Sequence, residues 1–324
     1  MDETYDVGVI GGGAAGLSGA IALARFWRSV LLVDAGQPRN APADAVHNFL
    51  TRDGTPPAEL YAIGRAELRG YGATIVDARV GAVHRDGQLF AVDVDGRTVT
   101  ARRVLVATGA RDELPAIPGL AQRWGRDVLH CPYCHGWEVR DRRIGVIATG
   151  PLATHQALLF RQLSDDVTLL AHTGPQLHDD ERVRLDTVGI PVTTGEIAAV
   201  EANADRLTGV RLADGTRFPF DVLVVGAPIH ARVDMLRPLG VKPEELRVGT
   251  HVVATQVAAD ASGATDVPGL WVAGNAADAQ AQLITAAASG LTAAAAINMD
   301  LICADATIPT TPGDRYSNAL DQPA

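Results

Sequence analysis

Residues 5–10 form a short apolar, β-rich run that passes directly into Gly11-Gly12-Gly13-Ala14-Ala15-Gly16, then into an Ala/Leu-rich stretch of helical period reaching Phe26. A strand, a glycine turn and a helix in immediate succession point to the βαβ unit that holds a dinucleotide. In such a unit Gly11 permits the tight turn, Gly13 lets the backbone approach a pyrophosphate, and Gly16 lets the helix pack closely on the strand. The helix N-terminus at Ala14 then faces the phosphates. A second strand over 30–33 ends at Asp34, where an acid accepts hydrogen bonds from an adenosine ribose. The glycine pattern alone is weak evidence; the flanking strand, helix and acid make it specific.

The segment 36–53 contains Pro38 and Pro42 and few periodic apolar residues, so it is expected to be a loop. Gly36, Arg39 and Asn48 are its candidates for ligand contact, because loops above a sheet carry such groups. Asp95-Gly96 predicts the turn of a hairpin over 93–99, and 104–107 predicts a buried strand closing on Thr108-Gly109-Ala110. Pro115 and Pro118 mark a linker. A second α/β pattern follows, with strands at 144–147, 167–170 and 222–225 and a helix near 154–163. The first pattern resumes with a strand over 270–273, Gly274-Asn275, and a small-residue helix over 282–296 that presents Gln282 and Leu283 at its near end. The expected architecture is α/β, with two Rossmann-like domains, the second inserted into the first. The outer domain takes 1–113 and 241–324, the inserted one 114–240. The tail from Asp305, with Pro309, Pro312, Gly313 and Pro323, is expected to be irregular or draped on a partner subunit.

A formal net charge of −10 argues against nucleic-acid or anionic-membrane partners, which need a basic face. Gly290 interrupts the alanine-rich helix, and no apolar run approaches the roughly 18 to 20 residues of a membrane span. The start Met1-Asp2-Glu3-Thr4 lacks the basic-then-apolar pattern of a signal peptide. A cytoplasmic enzyme acting on small molecules is expected.

The chemistry concentrates at His130-Cys131-Pro132-Tyr133-Cys134-His135-Gly136-Trp137-Glu138, which holds two of the three cysteines. In a reducing compartment a Cys-x-x-Cys pair is redox-active or metal-binding more often than structural. No metal site is expected, because His130, Cys131, Cys134 and His135 are bunched without the separated second ligand pair of structural zinc modules. Thiols attack as thiolates, and His130 or His135 is a base of suitable pKa to generate them. The alternative for each is a structural hydrogen bond. Pro132, Tyr133 and Trp137 offer an apolar face to a flat dithiol, with ordinary packing as the other reading of Trp137. Cys303, alone near the C-terminus, is expected to be a small apolar filler.

Four motifs in order, Gly11-x-Gly13-x-x-Gly16, Ala107-Thr108-Gly109, Cys131-x-x-Cys134 and 268–274 (Pro-Gly-Leu-Trp-Val-Ala-Gly), resemble the low-molecular-weight thioredoxin reductase-like flavoproteins over nearly the whole chain. The resemblance implies FAD held by the discontinuous outer domain, a redox dithiol in the inserted NADPH-like domain, and a homodimer. Carried over by position, Gly11, Gly13, Gly16, Asp34, Asn48, Thr108, Gly109, Gly274, Asn275, Gln282 and Leu283 would contact FAD, with Ala14, Gly36 and Arg39 beside them.

The chain departs from those reductases in two places. Where their NADPH fingerprint stands it has Ala148-Thr149-Gly150-Pro151-Leu152-Ala153, and Pro151 removes a backbone donor at the turn. After the strand at 167–170 comes Ala171-His172-Thr173-Gly174, with no arginine for a 2′-phosphate. His135 follows the second cysteine where the reductases carry an aspartate. This pattern is similar to the dithiol oxidases of the holomycin and gliotoxin type, which close the disulfide of dithiolopyrrolone and epidithiodiketopiperazine products. The expected function is therefore FAD-dependent oxidation of a small dithiol, Cys134 attacking the flavin and dioxygen accepting the electrons to give hydrogen peroxide. The alternatives are a disulfide reductase fed by NADPH or another donor, and a non-catalytic protein that sequesters a reactive disulfide metabolite.

Overall fold

The computed structural model describes residues 4–307. The chain begins with β1 (Thr4–Ile10), α1 (Ala14–Arg25), β2 (Val30–Asp34), α2 (Pro57–Gly70) and β3 (Thr74–Asp77), followed by β4 (Val80–Asp86), β5 (Leu89–Val94), β6 (Arg97–Val106) and the short β7 (Ala110–Asp112). It continues through β8 (Val128–Leu129), α3 (Pro132–His135), β9 (Ile144–Ile147), α4 (Ala153–Phe160), β10 (Val167–Leu170), α5 (Asp179–Thr187) and β11 (Val192–Thr193). Strands β12 (Ile197–Asn203), β13 (Arg206–Leu212), β14 (Arg217–Pro219), β15 (Val222–Val225), β16 (Ile229–Ala231), β17 (Glu244–Val248), β18 (His251–Gln256) and β19 (Leu270–Val272) lead to α6 (Leu283–Thr307).

The first sheet runs β3-β2-β1-β6-β5-β4, with β19 also paired to β6. Its β1, β2 and central β6 are parallel and buried on both faces, which is why they appear as continuous apolar runs. The β5–β6 hairpin turns at Asp95 and Gly96, both at positive φ, the requirement of a two-residue turn that matches strand twist. A second, wholly parallel sheet runs β11-β10-β9-β15-β8. Its β9, β10 and β15 coincide with the runs expected at 144–147, 167–170 and 222–225. A three-stranded antiparallel sheet, β12-β13-β14, lies between β11 and β15 in sequence and shares a core with the second sheet through Val210, Leu212 and Leu223.

Three expectations are corrected. Ahead of residue 240 the chain already touches the first sheet: β16 pairs with β7 and β18, and Val233 and Leu236 bury in one cluster with Tyr5, Ile10 and Val33. The apolar character of Val233 and Leu236 draws them there as soon as β15 ends. The last helix continues past 296 to Thr307 and absorbs the start of the expected tail; Pro309, Pro312, Gly313 and Pro323 lie outside the described residues. Its stretch Leu283–Ala306 is, by length and composition, long and apolar enough to cross a membrane. Here one face of α6 packs on α1, through Ala286, Ala293, Ala294, Ile297 and Leu301. The approach is close because Gly290 stands where a Cβ would meet the Ala15 carbonyl oxygen at 2.0 Å. Cys303, finally, is exposed on α6 rather than filling a core.

Candidate dithiol and cofactor site

The turn between β1 and α1 is built as the glycine spacing predicts. Gly11 takes φ +107, and a Cβ on it would meet the Ala107 carbonyl oxygen at 2.4 Å; one on Gly16 would meet the Gly11 oxygen at 1.8 Å. Both glycines therefore serve close packing. Gly13 is different, since a Cβ there meets nothing within 4 Å. The N-terminus of α1 behind it has no side-chain cap and no acid in its first turn, so amide donors at Ala14 and beyond face the open space. Beside Gly11, the Thr108 hydroxyl is buried with no hydrogen-bond partner. Open space at Gly13 and Gly36, an uncapped helix end and an orphaned hydroxyl fit a phosphate-bearing cofactor.

Other cofactor candidates already have protein partners. One oxygen of Asp34 accepts from Arg65 Nη1 at 3.2 Å, and Arg65 also pairs with Asp77. Arg39 forms a fork with Asp112, Nε to Oδ2 at 2.9 Å and Nη2 to Oδ1 at 2.5 Å, which commits two of its donors. Asn275 Nδ2 donates to the carbonyls of Asp278 and Ala281 at 3.0 and 2.9 Å and shapes the turn before α6. The Gln282 carbonyl accepts from the Ala286 amide at 2.8 Å as α6 opens at Leu283. Gly274 N donates to Ser289 Oγ at 2.9 Å, tying β19 to α6. Gly109 has open space where a Cβ would stand. Asn48, at φ +56, donates through Nδ2 to the Tyr133 carbonyl and so joins the 36–53 loop to the dithiol helix.

Cys131 is the N-cap of α3, and Pro132 in the first turn needs no amide partner. Cys134 donates its S–H to Cys131 at 2.7 Å. That bond, reinforced by the amides of Cys134 and Tyr133 and the charge of Arg39, lowers the Cys131 pKa to about 7 against the opposing effect of burial. The same bond, with burial, pushes Cys134 upward. The thiol that ionises first is therefore Cys131, with Cys134 holding the proton; the outgoing nucleophile expected at Cys134 is the less ionised of the two.

Both histidines are shifted below the ordinary imidazole range by burial, His130 further by Arg39 and His135 by His47. Both are neutral at pH 7 and able to accept a proton. His130 Nδ1 lies 3.2 Å from the Val225 carbonyl oxygen, which only accepts, so the ring hydrogen sits on Nδ1 and Nε2 is the acceptor. Gln156 Nε2 grips the His130 carbonyl at 3.1 Å. His135 Nε2 is buried with no partner. Tyr133 and Trp137 are 60% and 67% exposed, which removes ordinary core packing as the explanation of Trp137. His47, which stands between Asp53 at 3.0 Å and Glu138 at 3.5 Å, was not among the sequence candidates. Nor were Arg65, Asp112 and Gln156, whose partners are distant in the chain and leave no local pattern.

The loop after β9 differs from a phosphate cradle. Thr149 turns its hydroxyl to the Gly226 carbonyl at 3.1 Å, and α4 starts only at Ala153. After β10, His172 accepts the Ile197 amide on Nδ1 at 3.0 Å, and the first Lys or Arg beyond it is Arg182.

A dithiol at a helix N-terminus, tied by Asn48 to a loop of a glycine-cradled Rossmann sheet, defines a flavoprotein thiol/disulfide oxidoreductase of the thioredoxin reductase type. The chain belongs to the pyridine nucleotide-disulphide oxidoreductase family, whose model matches residues 5–290. It is 30% identical over 319 residues to thioredoxin reductase sirT of Leptosphaeria maculans, covering 93% of this chain and 95% of that protein. Thioredoxin reductase tcpT of Claviceps purpurea is 34% identical over 250 residues, covering 73% of this chain and 78% of its own length. Among solved structures, HlmI superposes with a TM-score of 0.87 at 44% identity over 94% of both chains.

Proposed function

We propose that the chain is an FAD-dependent dithiol oxidase that closes an intramolecular disulfide in a small natural-product dithiol, with dioxygen as final acceptor and hydrogen peroxide as product. The observation that carries this reading is the pair of imidazoles flanking the dithiol, both held neutral by burial, one with its acceptor nitrogen defined and one with a buried nitrogen awaiting a partner. A dithiol must lose two protons as it becomes a disulfide, and two neutral imidazoles are suited to receive them. The departures at 148–153 and 171–174 support the oxidative direction. The names borne by the sirT and tcpT relatives favour the second reading, a disulfide reductase.

In the oxidative direction an imidazole takes a proton from one substrate thiol, whose sulfur attacks the Cys131–Cys134 disulfide. The S–S bond breaks and a mixed disulfide forms. The second substrate thiol gives up its proton and attacks the mixed disulfide, releasing the cyclic product and the reduced cysteine pair. Two electrons and two protons have then left the substrate, and the charge remaining on the pair rests on Cys131. Gly13, Ala14, Thr108 and Gly109 would hold FAD, which when bound supplies the two-electron relay from the cysteine pair to dioxygen.

Anaerobic titration of the purified flavoprotein decides the direction. A small dithiol such as dihydrolipoamide should bleach the flavin, NADPH should not, and admitting air should consume oxygen and yield peroxide. Bleaching by NADPH at a catalytic rate would establish the reductase reading instead.

A further inference from the structure

The helix that carries the dithiol, α3, has four residues and buries none of them completely. A helix of one turn draws its order from contacts outside itself. Those contacts come from a small hairpin in the loop after β2, closed by Val46 N donating to the Thr55 carbonyl at 2.8 Å, Gly54 N to the Val46 carbonyl at 2.9 Å and, across the tip, Arg52 N to the Phe49 carbonyl at 2.9 Å. The hairpin reaches the dithiol segment at two points. Asn48 donates to the Tyr133 carbonyl, between the cysteines, and His47 Nε2 lies 3.5 Å from Glu138 Oε1, beyond them. His135 falls between these two attachments in the chain.

His47 is fixed before it meets Glu138. Its Nδ1 lies 3.0 Å from Asp53 Oδ1, and because a carboxylate oxygen only accepts, the Nδ1 hydrogen points to Asp53 and Nε2 is turned to Glu138. The His47 side chain is 19% exposed, whereas that of Asp53 is 81% exposed. The contact also bears on His135. Burial is the largest influence against a proton on that ring; the charge of His47 adds to it, and Glu138 and Asp44 oppose it. Two of these three charged neighbours belong to the loop and the third to the dithiol segment.

We propose that His47 is a positioning residue of the dithiol centre: fixed by Asp53, it holds Glu138 and so seats the segment bearing His135 and both cysteines against the loop after β2. It acts through Glu138, and its part in turnover rests on the dithiol-oxidase reading.

His47→Phe keeps a ring and removes both nitrogens. With dihydrolipoamide, the holoenzyme variant should retain its flavin and its KM while kcat falls about 3-fold at pH 8 and about 10-fold at pH 6, the first for lost placement and the remainder for a base that is now more protonated. His47→Gln, which restores a donor, should recover part of kcat. Glu138→Gln keeps an oxygen for His47 and loses only the charge. NMR titration of histidine-labelled protein, with the His135 ring assigned by its loss in His135→Gln, should therefore move the His135 midpoint up in His47→Phe and down in Glu138→Gln. Loosening of the segment would instead relieve burial and raise both. In the double variant kcat should be no lower than in His47→Phe, since the same contact has been removed twice. Wild-type kcat in His47→Phe, an unmoved midpoint, midpoints that rise in both variants, or losses that multiply in the double variant would overturn the assignment. If the wild type does not oxidise dihydrolipoamide but the midpoints move in opposite directions, His47 keeps its place and the oxidase reading falls.

Discussion

Cys134→Ala isolates what makes Cys131 reactive. The largest influence on Cys131 is the S–H bond from Cys134 at 2.7 Å, which takes its pKa from 9.0 to about 7 with help from the helix amides and Arg39. At pH 7 a thiol of pKa about 7 is roughly half thiolate, whereas one of pKa about 9 is roughly 1% thiolate. Removing the donor should return Cys131 toward 9 and slow its alkylation at pH 7 by roughly 10- to 50-fold. Cys134→Ser, which keeps an O–H donor, should recover part of the loss. The assay is iodoacetamide labelling of the reduced protein under nitrogen from pH 5.5 to 10, read by mass spectrometry of the Cys131 peptide so that exposed Cys303 does not contribute. A midpoint that stays near 7 in Cys134→Ala would refute the argument and assign the acidity to the helix amides and Arg39.

Gly13→Ala should leave the denaturation midpoint unchanged, because its Cβ meets nothing within 4 Å, while weakening FAD binding; loss of stability would show that Gly13 serves packing. Gly290→Ala places a Cβ 2.0 Å from the Ala15 carbonyl oxygen, and urea unfolding should register a loss of about 2 kcal/mol or more as α1 and α6 separate. Thr108→Val removes a buried hydroxyl without a partner, so the cofactor-free protein should melt no lower than wild type while FAD affinity falls; the opposite pair of results would make the hydroxyl a structural group. Since burial lowers the pKa of His130 and His135 below 6.5, dithiol oxidation should persist below pH 6.5 and fall only as pH drops through the lower folded-state values. The sign for stability is the same: these neutral imidazoles contribute fully above pH 6.5 and the contribution is lost as they protonate, which a melting series from pH 8 to 5 would follow.

Much of the architecture is legible in local sequence. β9, β10 and β15 match the expected runs residue for residue because parallel strands covered on both faces are unbroken apolar runs. The turn at Gly11 and the dithiol at Cys131 and Cys134 are contiguous motifs, so their chemistry is visible without a fold. The antiparallel β12–β14 sheet leaves no clear local signal because its strands are part-exposed and irregular, with register shifts in β12 and a three-residue β14. The last helix runs past its expected end at 296 because alanine carries a weak periodic signal and the contacts beyond that point, Ile297 and Leu301 buried against α1, lie across the fold.

By itself the sequence determined that this protein begins with a dinucleotide cradle and carries a redox dithiol between two histidines, since both properties reside in consecutive residues. Only the tertiary structure decided which nitrogen of His130 accepts a proton and which carboxylate holds Arg39. Those outcomes depend on Val225, 95 residues from His130, and on Asp112, 73 residues from Arg39. Hydrogen bonds and electric fields act through space, and the spacing of residues along a chain does not encode which distant groups will meet.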